Sequence, residues 1–195
     1  MKKIKINIWS VIISIASVIL LVGLDQLTKF IASHNETLLN GEKIIFIKHL
    51  LSFYLTYNKG AAWSILTGKK VLLVSISVVA SIGCLALITL TSDFKKNWLY
   101  SLSIVLITAG AIGNLIDRAF FEEGVIDFLN FEFMDFPIFN VADSMLTVGA
   151  VLLAVYFVFF SSKKEEKKEE KIEEDETTNE IVEEEKDGCD QTNSQ

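Results

Sequence analysis

Four long, mostly apolar runs constrain this chain more than any other feature. They cover about residues 6–30, 71–91, 98–116 and 140–160. Each run is long enough for a helix to cross a hydrocarbon core of about 30 Å. Hydrophobic residues make up 51% of the 195 residues, which is too apolar for an ordinary soluble domain. We therefore predict an all-α polytopic membrane protein with four transmembrane helices.

The segment between the first two runs, residues 31–70, is too polar to cross a membrane. Its residues 44–47 and 53–57 are rich in β-branched and aromatic side chains, which are typical of strands. We expect a small β-rich segment outside the membrane, lying on the bilayer. The turn-forming residues Asn58 and Gly60 follow the second string, and taken alone they indicate only a turn.

The first run could instead belong to a cleaved signal peptide. The apolar region of such a peptide normally has about 7–15 residues and ends at a small-residue cleavage site, whereas residues 6–24 are uncharged throughout. An uncleaved first span is the better interpretation. Because cytoplasmic loops are rich in lysine, the lysines at one set of span ends predict that both termini are cytoplasmic. These are Lys2, Lys3, Lys5, Lys95, Lys96, Lys163 and Lys164.

The acidic charge of the chain is concentrated at its C-terminal end. The formal net charge is −7, yet residues 1–160 hold 12 Lys and Arg against 11 Asp and Glu (+1), while residues 161–195 hold 6 against 14 (−8). A charged, aromatic-free segment cannot bury a core. We predict a membrane domain over residues 1–162 and a disordered cytoplasmic tail over residues 163–195. No basic patch indicates a nucleic-acid partner.

The cysteines and histidines limit the possible metal and disulfide chemistry. Cys84 lies in an apolar run and Cys189 in the polar tail, so their environments do not favour a disulfide. The two histidines, His34 and His49, are not part of an H-E-x-x-H pattern. No zinc site is expected.

Polar residues cluster between the last two runs, where each is costly unless the protein interior receives it. Asn114 and Asp117 are three residues apart, as are Asn140 and Asp143, so at helix ends each pair would lie on one face. Asn140 is a natural N-cap for the last helix, which would place Asp143 in its first turn. Two inward-facing carboxyls at one membrane boundary could form an acid/base pair.

Asp127 is the second candidate carboxyl, in a predicted loop with apolar neighbours on both sides. A dry surface raises the pKa of a carboxyl, whereas the helix dipole favours the charged form of Asp143. Two such carboxyls can share one proton and hydrolyse a peptide bond, with Asp143 as the base and Asp127 as the acid. Spacing alone leaves capping and loop solvation as equally good explanations for these two residues.

At these positions the chain resembles the lipoprotein signal peptidases (signal peptidase II), membrane aspartyl peptidases that remove signal peptides from bacterial prolipoproteins. The resemblance covers about residues 10–160. Trp63 stands where family members usually have phenylalanine. The strings that carry the resemblance are D-Q-L-T-K at residues 25–29, Y-N-K-G-A-A at 57–62, G-N-L-I-D-R at 113–118, G-V-I-D-F at 124–128 and F-N-V-A-D-S at 139–144.

The resemblance implies that Asp127 and Asp143 are the catalytic pair and that Asn58 holds the substrate main chain. Two local alternatives remain, an i,i+4 ion pair for Asp25 and a helix-end salt bridge between Asp117 and Arg118. The residues with implied substrate-binding or supporting roles are Asp25, Lys29, Asn58, Gly60, Asn114, Asp117, Arg118, Asn140 and Ala142.

The implied substrate is a diacylglyceryl-modified prolipoprotein, cleaved just before its lipidated cysteine without a cofactor. The resemblance also implies a multi-pass protein of the bacterial cytoplasmic membrane, in contact with lipid, with its active site near the outer face. Two other classes stay open: a transporter whose intramembrane carboxylates carry ions, and a non-catalytic membrane adaptor that works through its tail. Four spans without an internal repeat argue against the transporter.

Overall fold

The computed structural model describes residues 6–60 and 68–161 of the chain. Four of its helices are long and apolar enough to cross a membrane, and three strands form one small antiparallel sheet, which confirms the predicted fold class. The elements are, in order, α1 (Ile8–Ser33), α2 (Glu36–Leu39), β1 (Ile44–Ile47), β2 (Leu51–Asn58), α3 (Lys70–Thr91), α4 (Phe94–Phe120), β3 (Val125–Phe131) and α5 (Val141–Tyr156).

The chain divides into two compact units, which meet in sequence after Leu153. The first unit contains the sheet, α1 to α4 and most of α5, and it holds all the residues with predicted site roles. In the second unit, the end of α5 continues into a π-helical turn, Phe157–Ser161. There the ring of Tyr156 stacks on Phe160 with centroids 6.3 Å apart.

Contacts at the helix ends show the directions of the spans. Helices α1 and α4 run the same way, because Asn7 hydrogen-bonds Asp93 where both begin and Lys29 pairs with Asp117 towards their ends. Helix α3 runs the opposite way, since Lys70 at its start donates to Phe121 O just after α4. The C-terminal ends of α1 and α4 therefore share one end of the bundle with the start of α3.

Two glycines allow α5 to pack closely against α4. A Cβ atom at Gly110 would collide with the Ala142 carbonyl and lie 2.7 Å from Leu146 Cγ, and one at Gly149 would lie 3.0 Å from Ser103 O. Small residues at such positions let two membrane helices approach closely. The start of α5 is thereby held beside the last turns of α4.

Helix α4 extends beyond the predicted third span at both ends. The side chain of Asp93 accepts hydrogen bonds from the N–H groups of Lys95 and Lys96, so the expected connecting loop already contains the first helical turn. Asn97 then interrupts the helix with φ −144° and ψ 61°. At the other end the helix continues through Asp117 and Arg118 to Phe120.

Asp127 lies on strand β3, and the expected loop at this position is therefore wrong. Strand β2 is the central strand, and Thr56 and Asn58 on it pair with Asp127 and Val125. The β-branched and aromatic residues around Asp127 suit a strand, and residues 125–128 are all buried. Their partner strand, β2, lies about 70 residues earlier in the chain. The residues around Asp127 do not indicate so distant a partner.

Candidate active site

Six polar or charged side chains lie buried together where α1, α4, α5 and β3 converge. A polar group buried in this way must find partners inside the protein. The exposed fraction is at most 3% for every member of the set: Asp25, Lys29, Asn114, Asp117, Asp127 and Asn140. Asp143 is half-buried beside them.

Lys29 links α1 to α4 within this cluster. Its Nζ atom lies 2.9 Å from Asp25 Oδ2, 2.9 Å from Asp117 Oδ2 and 3.1 Å from Asn114 Oδ1. An ammonium group has three N–H donors, and these three partners use all of them. The expected pairing of Asp25 with Lys29 is confirmed.

The expected ion pair between Asp117 and Arg118 does not form among the described residues. Consecutive residues on a helix point in different directions, and Asp117 faces the bundle interior. Besides Lys29, its Oδ2 atom accepts the N–H of Ile126 at 3.1 Å. Asp117 therefore attaches strand β3 to α4 immediately before Asp127.

The start of α5 is fixed by reciprocal hydrogen bonds. Asn140 Oδ1 accepts the N–H of Asp143 at 2.9 Å, and Asp143 Oδ2 accepts the N–H of Asn140 at 3.2 Å. This is a capping box, so the predicted N-cap role of Asn140 is confirmed. Ala142 donates its backbone N–H to Asp25 Oδ1 at 2.8 Å, and α1 thus supplies a second cap.

Two carboxamides connect the candidate carboxyls. Asn140 Nδ2 donates to Asp127 Oδ1 at 2.7 Å and to Asn114 Oδ1 at 3.1 Å. Asn114 Nδ2 donates to Asp143 Oδ1 at 2.8 Å. Phe139, just before Asn140, forms a backbone bridge with Leu129. The structure therefore brings a strand carboxyl and a helix carboxyl to the same pair of amides.

The environment of Asp127 favours its protonated form. Burial, followed by the nearby charge of Asp143, raises the pKa of Asp127 from 3.8 to about 7. Hydrogen bonds from Asn58 and Asn140 and the charge of Lys29 act in the opposite direction. The pair of carboxyls can therefore retain one proton near neutral pH.

A pocket of about 190 Å³ lies between the end of strand β2, the start of helix α3 and the end of helix α4. Asn58, Gly60, Gly124 and Arg118 contribute to its wall, and Asn58 Oδ1 accepts the N–H of Gly60 at 2.9 Å. The buried Nε atom of Arg118 has no hydrogen-bond partner within the described part of the chain.

Several sequence expectations lie outside the described residues. These concern residues 61–64 of the Y-N-K-G-A-A-W-S string, the lysines at positions 2, 3, 5, 163 and 164, Cys189 and the whole tail from residue 163.

Gln26 is a site residue that the sequence reasoning missed. Its Nε2 atom donates to Asp117 Oδ1 at 2.9 Å and to the carbonyl of Gly113 at 3.1 Å. A Cβ atom at Gly113 would lie 2.6 Å from Asp25 Oδ2, so glycine is needed for the approach of α1. The D-Q-L-T-K string contains Gln26 and was the available signal.

Gly124 provides a test of how β3 docks on β2. It has φ +104°, and a Cβ atom there would collide with the backbone carbonyl of Asn58, whereas Gly41 has φ +77° with open space around it. We expect Gly41→Ala to lose about 1–2 kcal/mol from backbone strain alone. Gly124→Ala should lose a further 1–3 kcal/mol or so from the collision. Equal losses in thermal unfolding of the two purified variants would contradict this account.

The fold and the site define a multi-pass membrane protein whose buried carboxyls meet at one end of its helices. Residues 17–159 match the family model of signal peptidase (SPase) II. The chain is 44% identical to the lipoprotein signal peptidase of Enterococcus faecalis over 139 residues, 71% of this chain and 83% of that protein. It is also 44% identical to that of Streptococcus pyogenes serotype M2 over 142 residues, 72% and 90% of the two chains.

A solved structure, described as a bacterial membrane enzyme determined by the in meso method at 2.3 Å resolution, matches with a TM-score of 0.69 and 35% identity, covering 77% of this chain and 90% of that one. A second bacterial membrane enzyme matches with a TM-score of 0.65 and 34% identity, covering 75% and 93%. The chain belongs to the signal peptidase II family, and it is a membrane peptidase.

Proposed function

We propose that this chain removes the signal peptides of diacylglyceryl-modified prolipoproteins, cleaving just before the lipidated cysteine with two aspartates and a water molecule. The relatives that are 44% identical carry the name lipoprotein signal peptidase. The observation that carries the chemistry is the meeting of Asp127 and Asp143 at the carboxamides of Asn114 and Asn140. This arrangement favours a peptidase over a transporter or an adaptor.

In the proposed reaction, charged Asp143 takes a proton from the attacking water while protonated Asp127 donates one to the scissile carbonyl oxygen. The water oxygen bonds to the carbonyl carbon, giving a neutral tetrahedral intermediate. When this intermediate collapses, the C–N bond breaks and the leaving nitrogen takes the proton from Asp143. Asp127 recovers its proton from a hydroxyl of the intermediate, so the pair returns to its starting state.

The pocket supports a binding role for Asn58 and Arg118, which line it, and Asn58 also hydrogen-bonds Asp127. An extended substrate main chain offers carbonyl oxygens, and the Nε–H of Arg118, which has no hydrogen-bond partner among residues 6–60 and 68–161, is a suitable donor for one of them. Gly60 lets a second backbone approach because it has no side chain. Asp25, Lys29, Asn114, Asp117, Asn140 and Ala142 then hold the two aspartates in place.

The proposed orientation puts the carboxyls near the outer face of the cytoplasmic membrane and both termini in the cytoplasm. Lys95 and Lys96 lie in the first turn of α4, at the opposite end of the bundle from Asp127. Lysines at that end favour a cytoplasmic position. The division into a membrane domain of residues 1–162 and a cytoplasmic tail of residues 163–195 belongs to the same proposal.

The proposed function is tested with a lipidated prolipoprotein and with the same protein carrying serine in place of its modified cysteine. The purified chain should release a product with the lipidated cysteine at its new N-terminus, identified by mass spectrometry, from the first substrate alone. Failure to cleave the lipidated substrate, or equal cleavage of both, would overturn the proposal.

The pH dependence of cleavage should report the proton on Asp127. Because its pKa is raised to about 7, kcat/KM is expected to fall as pH rises through that value, by about tenfold per pH unit once Asp127 is ionised. A kcat/KM that stays constant well above pH 7 would contradict the assignment of Asp127 as the acid.

The raised pKa of Asp127 also makes the stability of the fold depend on pH. As pH rises from 3.8 to about 7, the free energy of unfolding should fall, since the carboxyl ionises first in the unfolded chain.

A further inference from the structure

The carboxamide of Asn114 can take only one orientation in this site. Its Oδ1 atom faces Lys29 Nζ at 3.1 Å, and its Nδ2 atom faces Asp143 Oδ1 at 2.8 Å. An ammonium group only donates hydrogen bonds, and an ionised carboxylate only accepts them. A flipped amide would place two donors together at Lys29 and two acceptors together at Asp143. Lys29, the charged one of the two donors that face Oδ1, therefore favours the orientation in which Asn114 presents an N–H to Asp143.

The carboxamide of Asn140 is oriented in the same way. The backbone N–H of Asp143 requires an oxygen, and it contacts Asn140 Oδ1 at 2.9 Å. The Nδ2 atom faces acceptors, which are Asp127 Oδ1 at 2.7 Å and Asn114 Oδ1 at 3.1 Å. The oxygen of Asn114 thus receives hydrogen bonds from Lys29 and Asn140, Asn114 donates to Asp143, and Asn140 donates to Asp127.

We propose that Lys29 is a positioning residue for catalysis: its ammonium group fixes the orientation of Asn114, and Asn114 holds the carboxyl of Asp143 in its place opposite Asp127. This inference rests on the proposed function. It assigns to Lys29 an action on the reacting pair that goes beyond joining α1 to α4. Only 1% of Lys29 is exposed, so bulk solvent does not reach its contact with Asn114 in the folded protein.

Lys29 also contributes to the charge around Asp127. The charged groups that face Asp127 are Asp143 from α5, Lys29 from α1, and Arg118 with Asp117 from α4. The positive charge of Lys29 opposes the rise in the pKa of Asp127. Removing this charge should move the pH at which Asp127 loses its proton upwards. A variant that loosens the two helices but keeps this charge should not show that shift.

The test is a double-mutant cycle on cleavage of a lipidated prolipoprotein, using Lys29→Met, Asn114→Ala and the combination. We expect Lys29→Met to reduce kcat by up to about 100-fold, with KM little changed. The descending limb of its pH–rate profile should move to higher pH. If Lys29 acts through Asn114, the double variant should be no slower than Asn114→Ala alone. Losses that multiply in the double variant, or an unmoved pH limb, would overturn the proposal.

Gln26→Leu is the matched control for loosening of the cluster. Gln26 contacts Asp117, Asp25 and the Gly113 carbonyl, but its side chain makes no hydrogen bond to Asn114 in the described structure. This variant should unfold at a lower temperature and keep the wild-type pH limb. If the descending limb of its pH–rate profile shifted as far as that of Lys29→Met, loosening alone would explain the effect, and the proposal would be overturned.

Lys29→Met leaves Asp25 and Asp117 without their cation, and it could fail to fold. The double variant Asp25→Asn/Lys29→Met removes one charge of each sign and keeps an oxygen for the N–H of Ala142. It should fold and show the same loss of kcat and the same shift of the descending limb of the pH–rate profile. A limb at the wild-type pH would overturn the proposal.

The two proposals fail separately. Additive losses in the double-mutant cycle reject only the role of Lys29, whereas cleavage by Asp127→Asn rejects the aspartate pair.

Discussion

Replacing Asp127 or Asp143 by asparagine is expected to abolish cleavage of a lipidated prolipoprotein, with kcat/KM falling by about 10⁴-fold or more. An amide neither takes a proton from water nor donates one to a carbonyl oxygen at neutral pH. The change keeps the shape of the side chain, and in Asp127→Asn the amide oxygen could still accept the hydrogen bond that Asn140 donates at 2.7 Å. The measurement is the rate of signal-peptide release by purified variants.

Asp135→Asn is the matched control for this prediction. Asp135 is exposed and lies in the segment between β3 and α5, so its loss changes the net charge by the same amount without touching the pair. It should retain wild-type cleavage. If Asp127→Asn or Asp143→Asn also retained it, the two-carboxyl mechanism would be excluded.

Thermal unfolding separates lost chemistry from lost folding in these variants. Burial and the charge of Asp143 raise the pKa of Asp127 to about 7, so above that pH the folded protein must hold an unfavourable charge. Asp127→Asn removes this charge and should unfold at an equal or higher temperature than the wild type in mildly alkaline buffer. A much lower unfolding temperature would attribute the lost activity to misfolding.

The second large effect is expected at Asp117, where leucine should destabilise the protein by about 3–5 kcal/mol. Asp117 is fully buried, and it pairs with Lys29 at 2.9 Å while accepting the N–H of Ile126 at 3.1 Å. Its removal leaves a buried cation with one partner fewer and detaches β3 from α4. Unfolding in detergent, followed by intrinsic fluorescence, measures the loss.

Glu122→Gln provides the contrast on the same stretch of chain. Glu122 pairs with Lys70 at 3.0 Å, but 90% of its side chain is exposed, and exposed ion pairs contribute little because water and salt screen them. We expect almost no change in stability. Comparable losses for Asp117→Leu and Glu122→Gln would contradict the role given to the buried cluster.

Local patterns in the sequence predicted part of the site correctly. The pairing of Asp25 with Lys29 follows from their four-residue separation on a helix, and the cap formed by Asn140 follows from its position before the last apolar run. In both cases the partners lie within one helical turn, so their spacing along the chain fixes their proximity.

Long-range contacts were predicted less well. Asp117 was expected to pair with Arg118, yet it pairs with Lys29 from another helix, and Asp127 was placed in a loop although it pairs in a strand with Thr56. Each error concerns a partner about 70 to 90 residues away in the chain. Nothing in the neighbouring residues indicates which distant element will supply that partner.

The sequence by itself determined that the chain crosses the membrane four times, because apolar length decides whether a helix spans a hydrocarbon core. It also pointed to the polar side chains that lie buried together, because a polar residue between apolar runs is costly unless the protein interior receives it. Only the tertiary structure showed that Asn114 and Asn140 donate hydrogen bonds to the two aspartates and that Lys29 contacts Asn114. That arrangement depends on how α1, α4, α5 and β3 pack, and the directions of its hydrogen bonds follow from which groups packing brings into contact.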